Sequence, residues 1–308
     1  FGAGAEGAYG LLALSNYDPA GRLGVLAQGA YGQRRVWRGG SLGIAWRGWP
    51  AFDLKVHAFA SQLGAARGLE NPRFDGGALS LGRTFDFGSA AWTWHLAASA
   101  ADVKLADSAH FRRRQALAEL SYALRRSHGF WRQLQLRAQG AAGESGNTDV
   151  RRGIASLGAT VAAAGLRLRL SATGGRTSLD PDSTSGAAAF EAFSFGGLDP
   201  PLFDDRLLPQ RLSHPALPSA TSSGRAFVAY SVALRQGGMP ASLYADWFKV
   251  YDPSGNWQRL VGTEGDLAFP TIGFASLPNV ALHYGAAYTI DHPRRHRWTF
   301  YGGARFAP

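Results

Sequence analysis

The sequence predicts an all-β fold: a single closed antiparallel transmembrane β-barrel of about 16 strands, with 14 as the alternative count, and a long loop folding into the lumen or mouth. Three observations carry this expectation. Apolar and polar residues alternate with period two along most of the chain, the mark of strands with one apolar and one polar face. The alternating runs exceed the ~5–6 residues usual in globular strands and suit the ~9–11 residues that a tilted strand needs to cross a bilayer. No segment approaches the ~18–20 uninterrupted apolar residues of a transmembrane helix, so a membrane fold here must rest on strands.

The alternation is clearest in four segments. Leu166, Leu168 and Leu170 share one face, with Arg167 and Arg169 on the other. Leu134, Leu136 and Ala138 oppose Gln133, Gln135, Arg137 and Gln139. Trp92, Trp94, Leu96 and Ala98 oppose Thr93, His95 and Ser99, and Leu54, Val56, Ala58 and Ala60 oppose Lys55, His57 and Ser61. The pattern places strands over 3–16, 22–35, 41–49, 53–64, 74–86, 88–104, 111–125, 130–143, 150–162, 164–176, 186–196, 225–236, 240–250, 257–269, 279–290 and 296–307. Turn signals separate them at Asp18-Pro19-Ala20-Gly21, Gly143–Asn147 and Asp252-Pro253-Ser254-Gly255. Short connections at Trp49-Pro50 and Ala164-Gly165 favour sequential antiparallel pairing, and the lack of helix-period segments argues against a parallel α/β fold.

Residues 197–224 break the pattern. They are proline-rich and mix Leu202, Phe203, Leu207 and Leu208 with Asp204, Asp205, Arg206 and Arg211. A long connection of this kind is functional or disordered, and its apolar content favours folding against the barrel lumen or mouth. Phe203, Asp204, Asp205, Arg206 and Arg211 are therefore the lumen-plug candidates. Aromatic residues fall near strand ends (Trp37, Trp49, Phe85, Phe87, Phe130, Trp131, Trp257, Trp298), where interfacial girdles would place them.

Composition narrows the function. Charged residues are 18% of the 308, below the ~25% of soluble domains, and the formal net charge is +10. Cysteine is absent, which excludes disulfides and thiolate metal sites. The basic residues cluster near strand ends, at Arg34-Arg35, Arg112-Arg113-Arg114, Arg125-Arg126, Arg151-Arg152 and Arg294-Arg295. Such clusters suit lipid phosphates, including those of lipopolysaccharide. Nucleic-acid binding would call for one continuous patch on a recognisable module, and none is present. Arg137, Arg167 and Arg169 are the lumen-facing basic candidates, either as an anion-favouring field or as partners of acids such as Glu119, Glu191 or Asp246.

The motifs point away from catalysis. His57 and Ser61, like His95 and Ser99, lie four strand residues apart, roughly 13 Å, too far for a nucleophile–base hydrogen bond. His292 and His296 sit in a basic turn, and neither HExxH nor a phosphate-binding loop occurs. The expectation is no enzyme, no cofactor and no metal site. The chain opens at Phe1 without a signal-peptide pattern, which leaves room for a removed leader or an upstream domain ahead of a single barrel domain over 1–308.

The C-terminal segment, with Trp298, Phe300, Gly302, Ala304 and Phe306 in phase, resembles the terminal strand of bacterial outer-membrane barrels. That family's assembly signal ends in an aromatic residue, a place Phe306 takes, although Ala307 and Pro308 follow it. The order of elements resembles the BamA/TamA surface-antigen superfamily, in which the loop between the eleventh and twelfth of sixteen strands enters the lumen. The Phe193–Leu198 segment, FSFGGL, is similar to that family's lead-in to the loop, whereas its Val-Arg-Gly-Phe motif and POTRA repeats are missing. The chain also resembles barrels fused behind TolB-like propellers. These resemblances imply a bacterial outer-membrane location and a role as membrane anchor, scaffold or translocation component beside other envelope chains. The alternatives are a porin-like passive channel with mild anion preference and, less favoured, an outer-membrane hydrolase. A periplasmic N-terminus and 16 strands would put both 197–224 and Ala164-Gly165 outside.

Overall fold

The computed structural model describes residues 2–5, 7–32, 38–62, 72–105, 109–178, 186–196, 205–207, 211–212, 214, 216–217, 222–251, 255–269, 279–291 and 298–307. A short strand β1 (Gly2–Gly4) is followed by ten long ones: β2 (Gly7–Tyr17), β3 (Leu23–Gly32), β4 (Arg38–Trp46), β5 (Asp53–Gln62), β6 (Arg73–Asp86), β7 (Ala90–Lys104), β8 (His110–Arg125), β9 (Trp131–Ser145), β10 (Thr148–Ala163) and β11 (Leu166–Thr177). An inner segment comes next, with α1 (Gly186–Glu191), β12 (Phe193–Phe195), a 3-10 turn (Asp205–Leu207), β13 (Arg211–Leu212) and β14 (Ser222–Gly224). Five long strands complete the chain: β15 (Ala226–Gln236), β16 (Ala241–Tyr251), β17 (Gln258–Phe269), β18 (Asn279–Thr289) and β19 (Trp298–Ala307).

The 15 long strands form one antiparallel sheet. Each pairs with its sequence neighbour, except that β11 pairs with β15 across the inner segment. β1 joins the two ends of the sheet, through Gly2↔Gly303 and Ala3↔Gly302 on β19 and three pairs on β2, so the strand order runs as a ring. That seam is narrow: it has two residue pairs, against 15 between β7 and β8.

The turns explain the hairpins. Asp18 Oδ1 accepts the backbone N–H groups of Arg22 and Leu23, and Gly21 has φ 67°. Ala164 (φ 49°) and Gly165 (φ 78°) make a two-residue hairpin of the primed kind that matches strand twist. Inside, Gly262 and Gly285 give up their side chains to neighbouring rings. A Cβ at Gly285 would lie 2.2 Å from the Tyr301 ring, and one at Gly262 would lie 2.6 Å from Tyr244.

Parity assigns the two faces. Phe59, Phe74, Leu117, Phe227, Phe248 and Leu260 point inward and are buried against the inner segment, in two clusters on opposite parts of the wall. The other parity exposes Leu12, Val25, Ile44, Val56, Leu96, Leu120, Leu157 and Leu243 as an apolar outer belt. Trp49, Phe87, Phe130 and Trp131 stand exposed at one end, with Trp257, Trp298 and Phe300 toward the other. Trp37 lies outside the described residues.

Two expected strands are corrected. Residues 186–196 are not part of the wall. Their Ala-rich start favours helix, and the segment is buried from Ala187 to Gly196 except at the half-buried Ala189, so its apolar residues face a core and not lipid. The expected strand 3–16 breaks at Ala5–Gly7, where Gly7 has φ 124°. One strand is lost and one gained, so the wall consists of 15 long strands and the three-residue β1. Sidedness changes with it. Ala164-Gly165 lies at the end of β11 opposite the long connection 178–225, and the short turns 18–22 and 87–89 share its end with the C-terminus of β19.

The face assignment predicts that Leu157→Arg, on the outer face of β10, lowers unfolding free energy in lipid vesicles by about 2–4 kcal/mol. Ser156→Arg, one residue away on the inner face, should cost less than half as much in the same denaturant titration. Equal costs would contradict the assignment.

Candidate functional site: a plugged interior

The inner segment folds on the inner face of the wall as a small three-stranded sheet in the order β13-β12-β14, preceded by α1. Aromatic contacts fix its position. Phe190 of α1 packs on Phe74 at 5.8 Å and Phe111 at 5.9 Å. Phe193 meets Phe227 edge-on at 4.7 Å, and Phe195 stacks on Phe248 at 3.4 Å. Leu207 is fully buried in the Phe59–Phe74 cluster.

At the centre of this contact lies a buried charge cluster. Arg113 of β8 grips the Glu191 carboxylate with a two-pronged fork, Nε to Oε1 at 2.5 Å and Nη2 to Oε2 at 3.2 Å. Its remaining prong, Nη1, donates to the Leu207 carbonyl at 2.5 Å. Arg152 of β10 places Nη1 3.8 Å from Glu191 Oε2. The Arg113 and Glu191 side chains are only 3% and 2% exposed, so water does not screen the pair. Burial alone would push the Glu191 carboxyl up. The charge and hydrogen bonds of Arg113 and the charge of Arg152 outweigh it and hold the carboxyl below its ordinary value.

Two further polar contacts tie plug to wall. Arg206 of the 3-10 turn lies 3.6 Å from Glu119 of β8, which Arg137 of β9 also meets at 2.6 Å. His214 faces Asp246 of β16 at 3.1 Å. The Ala216 N–H donates to His214 Nδ1, so the ring proton sits on Nε2 and points at the carboxylate.

Among the sequence-derived candidates, Phe203 and Asp204 lie outside the described residues. Asp205 begins the 3-10 turn, Arg206 makes the Glu119 contact, and the Arg211 backbone pairs with Ser194. Arg137, Arg167 and Arg169 all have inward parity. Arg137 is paired as described, and Arg169 reaches Glu264 of β17 at 3.2 Å. Arg167 is exposed and stands opposite Arg235 in register. On the terminal strand, Trp298 and Phe300 are exposed on the outer face, Gly302 pairs with Tyr284, and Phe306 pairs through its backbone with Val280. Glu191 was an expected lumen acid, but its partners are not the expected arginines. The sequence groups Arg113 and Arg152 with the basic clusters near strand ends, whereas the structure buries both side chains. The overlooked signal is parity: Arg113 is in phase with Gln115, Leu117 and Glu119.

This geometry yields two expected outcomes. Glu191→Gln leaves two buried guanidinium groups without their carboxylate and should weaken plug docking by about 3–5 kcal/mol, seen as faster proteolysis within 178–225. The depressed carboxyl makes docking acid-sensitive in one direction. Its contribution is fully present above the ordinary carboxylate pKa of about 4.3 and is lost as pH falls through the lower folded value. Protease accessibility of the wild type should therefore rise only in acid, and Glu191→Gln should be accessible across the whole range.

No protein-family model matches the sequence, and no curated protein matches it. Solved structures share its fold. BamA from Haemophilus ducreyi lacking POTRA domains 1-3 superposes with a TM-score of 0.66 at 10% identity, over 99% of this chain and 69% of that one. CdiB from Escherichia coli gives 0.61 at 13% identity, over 98% and 61%. CdiB from Acinetobacter baumannii gives 0.57 at 13% identity, over 99% and 58%. The chain thus spans about three fifths of the two CdiB structures. At these identities the likeness is one of fold: a β-barrel of the BamA and CdiB type.

Proposed function

We propose that the chain is a 16-stranded transmembrane barrel of a bacterial outer membrane, held closed by its own plug, and that it serves as membrane anchor, scaffold or translocation component of a larger envelope assembly. The observation that carries this reading is the Arg113–Glu191–Arg152 cluster, which fastens the inner segment across the interior. The exposed apolar belt with aromatic residues toward both ends supports membrane insertion. The end with the short turns then faces the periplasm and the plug enters from outside, because outward loops are the longer ones. The partners in this reading are protein chains of the envelope and outer-membrane lipids, including lipopolysaccharide phosphates.

Conductance in planar bilayers tests it. The wild type should pass little steady current, and Arg113→Gln/Arg152→Gln or deletion of 186–224 should open it. A large steady current with the plug intact would sink the plugged-barrel reading. Recovery in the soluble fraction without detergent would sink the membrane reading altogether.

A second reading, a passive channel with mild anion preference, draws on Arg167, Arg169 and Arg235, inward residues at the end away from the plug. In a salt gradient the plug-deleted barrel should show an anion-selective reversal potential that Arg167→Gln/Arg169→Gln shifts toward zero.

A further inference from the structure

The outer face of β7–β11 changes character from one end to the other. At the plug end it carries both signs of charge, with Asp102, Glu144 and Asp149 among Arg112, Arg114 and Arg151. From the middle of the wall to the short turns its outward residues are apolar or Gly, with no carboxylate, until Arg126 and Arg132 at the β8–β9 turn. These two arginines stand opposite each other. The Arg126 N–H donates to the Arg132 carbonyl at 2.9 Å, one step beyond the Arg125↔Gln133 pair. Arg132 Nη1 donates to the Ser127 carbonyl, which holds its guanidinium group over the turn, at the residue next to Arg126. Like charges directly opposite repel, and neither arginine makes an ion pair with a described carboxylate. Asp86, on the adjoining turn, has inward parity and gives its Oδ1 to the Gly88 N–H. Glu144 stands twelve residues further along β9, roughly 40 Å at ~3.3 Å per residue.

The surroundings of the pair fit a lipid. The β9–β10 register shifts between Thr160 and Val161, so Trp131 pairs with the outward Val161 and joins Arg132 on the lipid side. Phe130 meets Trp131 edge-on at 5.8 Å, and both rings are more than half exposed. Exposed aromatic rings at the end of a membrane strand mark the headgroup level. Toward the middle of the wall, the Leu124↔Leu134 pair leads to an outward groove of about 550 Å³. Register aligns Ala138, Ala155 and Gly174 as its floor, between Leu120 on one side and Val228 on the other. Ala138 lies six residues from Arg132, roughly 20 Å along the strand, which a tilt of ~40° converts to a depth of about 15 Å. That is half of the ~30 Å hydrocarbon core, the reach of one leaflet's acyl chains.

We propose that this corner of the wall binds an anionic diacyl phospholipid of the phosphatidylglycerol class, with its phosphate between Arg126 and Arg132 and one acyl chain running over Leu124 and Leu134 into the Ala138–Ala155–Gly174 groove. The inference rests on the outer-membrane reading; with the short turns periplasmic, the lipid belongs to the inner leaflet. A phosphodiester has an acceptor oxygen for each guanidinium group, so charge-assisted hydrogen bonds replace the repulsion of the bare pair. Arginine keeps its stem on apolar surface while its head reaches the phosphate level. A phosphatidylethanolamine headgroup would bring a third cation, its own ammonium, to the same place and lose most of that gain. The groove adds shape, because small residues on adjacent strands ~4.8 Å apart admit a chain that leucines would exclude.

The test uses the full chain in phosphatidylcholine nanodiscs doped with the probe lipid, with retained lipid measured by native mass spectrometry. The probes are phosphatidylglycerol and phosphatidylethanolamine with identical acyl chains. The wild type should retain phosphatidylglycerol about tenfold more strongly, the scale of one charge-assisted contact. Arg126→Gln/Arg132→Gln should bring the ratio close to one. Arg114→Gln/Arg151→Gln, at the plug end beside Glu144 and Asp149, should leave the ratio unchanged. Ala155→Leu should weaken retention of both lipids and keep their ratio. Equal retention of the two lipids by the wild type, an unaltered ratio in the Arg126/Arg132 variant, an equal fall in the Arg114/Arg151 variant, or full retention in Ala155→Leu would overturn the proposal. Gel mobility before and after heating confirms that each variant is folded. A wild type that fails to enter nanodiscs refutes the barrel reading, whereas one that enters without lipid preference refutes the lipid site alone.

Discussion

The bidentate contact between Arg113 and Glu191, with Arg152 beside it, is the interaction on which the interior depends. It joins four separate pieces of chain: β8 through Arg113, β10 through Arg152, α1 through Glu191, and the 3-10 turn through the Leu207 carbonyl. None of these charges is left in water, so removing any one strands the others in a medium of low dielectric. Aromatic packing alone would hold the plug against the wall but would tolerate sliding. A fork of fixed geometry accepts one carboxylate in one place. The cluster therefore sets register, and the surrounding apolar contacts supply most of the adhesion.

The second half of the plug is held differently. There, Phe193 and Phe195, both on β12, reach Phe227 and Phe248 on adjacent wall strands. Alternate residues of a strand lie on one face, so the two rings form a pair of pegs on one side of the small sheet. The His214–Asp246 contact sits at the edge of that zone and is less deeply buried than Glu191. The plug is thus pinned by charge on the β8–β10 side and by aromatic packing on the β15–β16 side.

The strands were legible in the sequence because period-two alternation is a local property and the two faces of a membrane wall differ sharply in polarity. Leu166, Leu168 and Leu170 show it without ambiguity, and the inward parity of Arg137, Arg167 and Arg169 follows from it. The pattern fails where both faces are apolar. Residues 187–196 are buried but for the half-buried Ala189, so alternation carries no information there, and helix propensity in Ala187–Ala189 decided the outcome locally. The charge cluster was not legible, since its members lie 78 residues apart for Arg113 and Glu191 and meet only after the plug folds inward.

Adjacent arginines show why clusters of like residues on a strand should not be treated as one feature. Arg113 points inward to Glu191, while Arg112 and Arg114 point outward. Arg152 points inward, while Arg151 points outward beside Ala142. A strand thus uses one run of basic residues for two unrelated tasks, fastening the plug on one face and presenting cations on the other. The arginine run does not by itself fix register, because a slip of one residue in β8 would bring Arg112 or Arg114 to the place of Arg113 opposite Glu191. The rest of the strand forbids the slip. It would turn Glu119 away from Arg137 and Arg206 into the apolar belt and take Leu117 out of the cluster around Phe74 and Leu207, so the in-phase residues beyond the arginines decide which guanidinium group meets the plug.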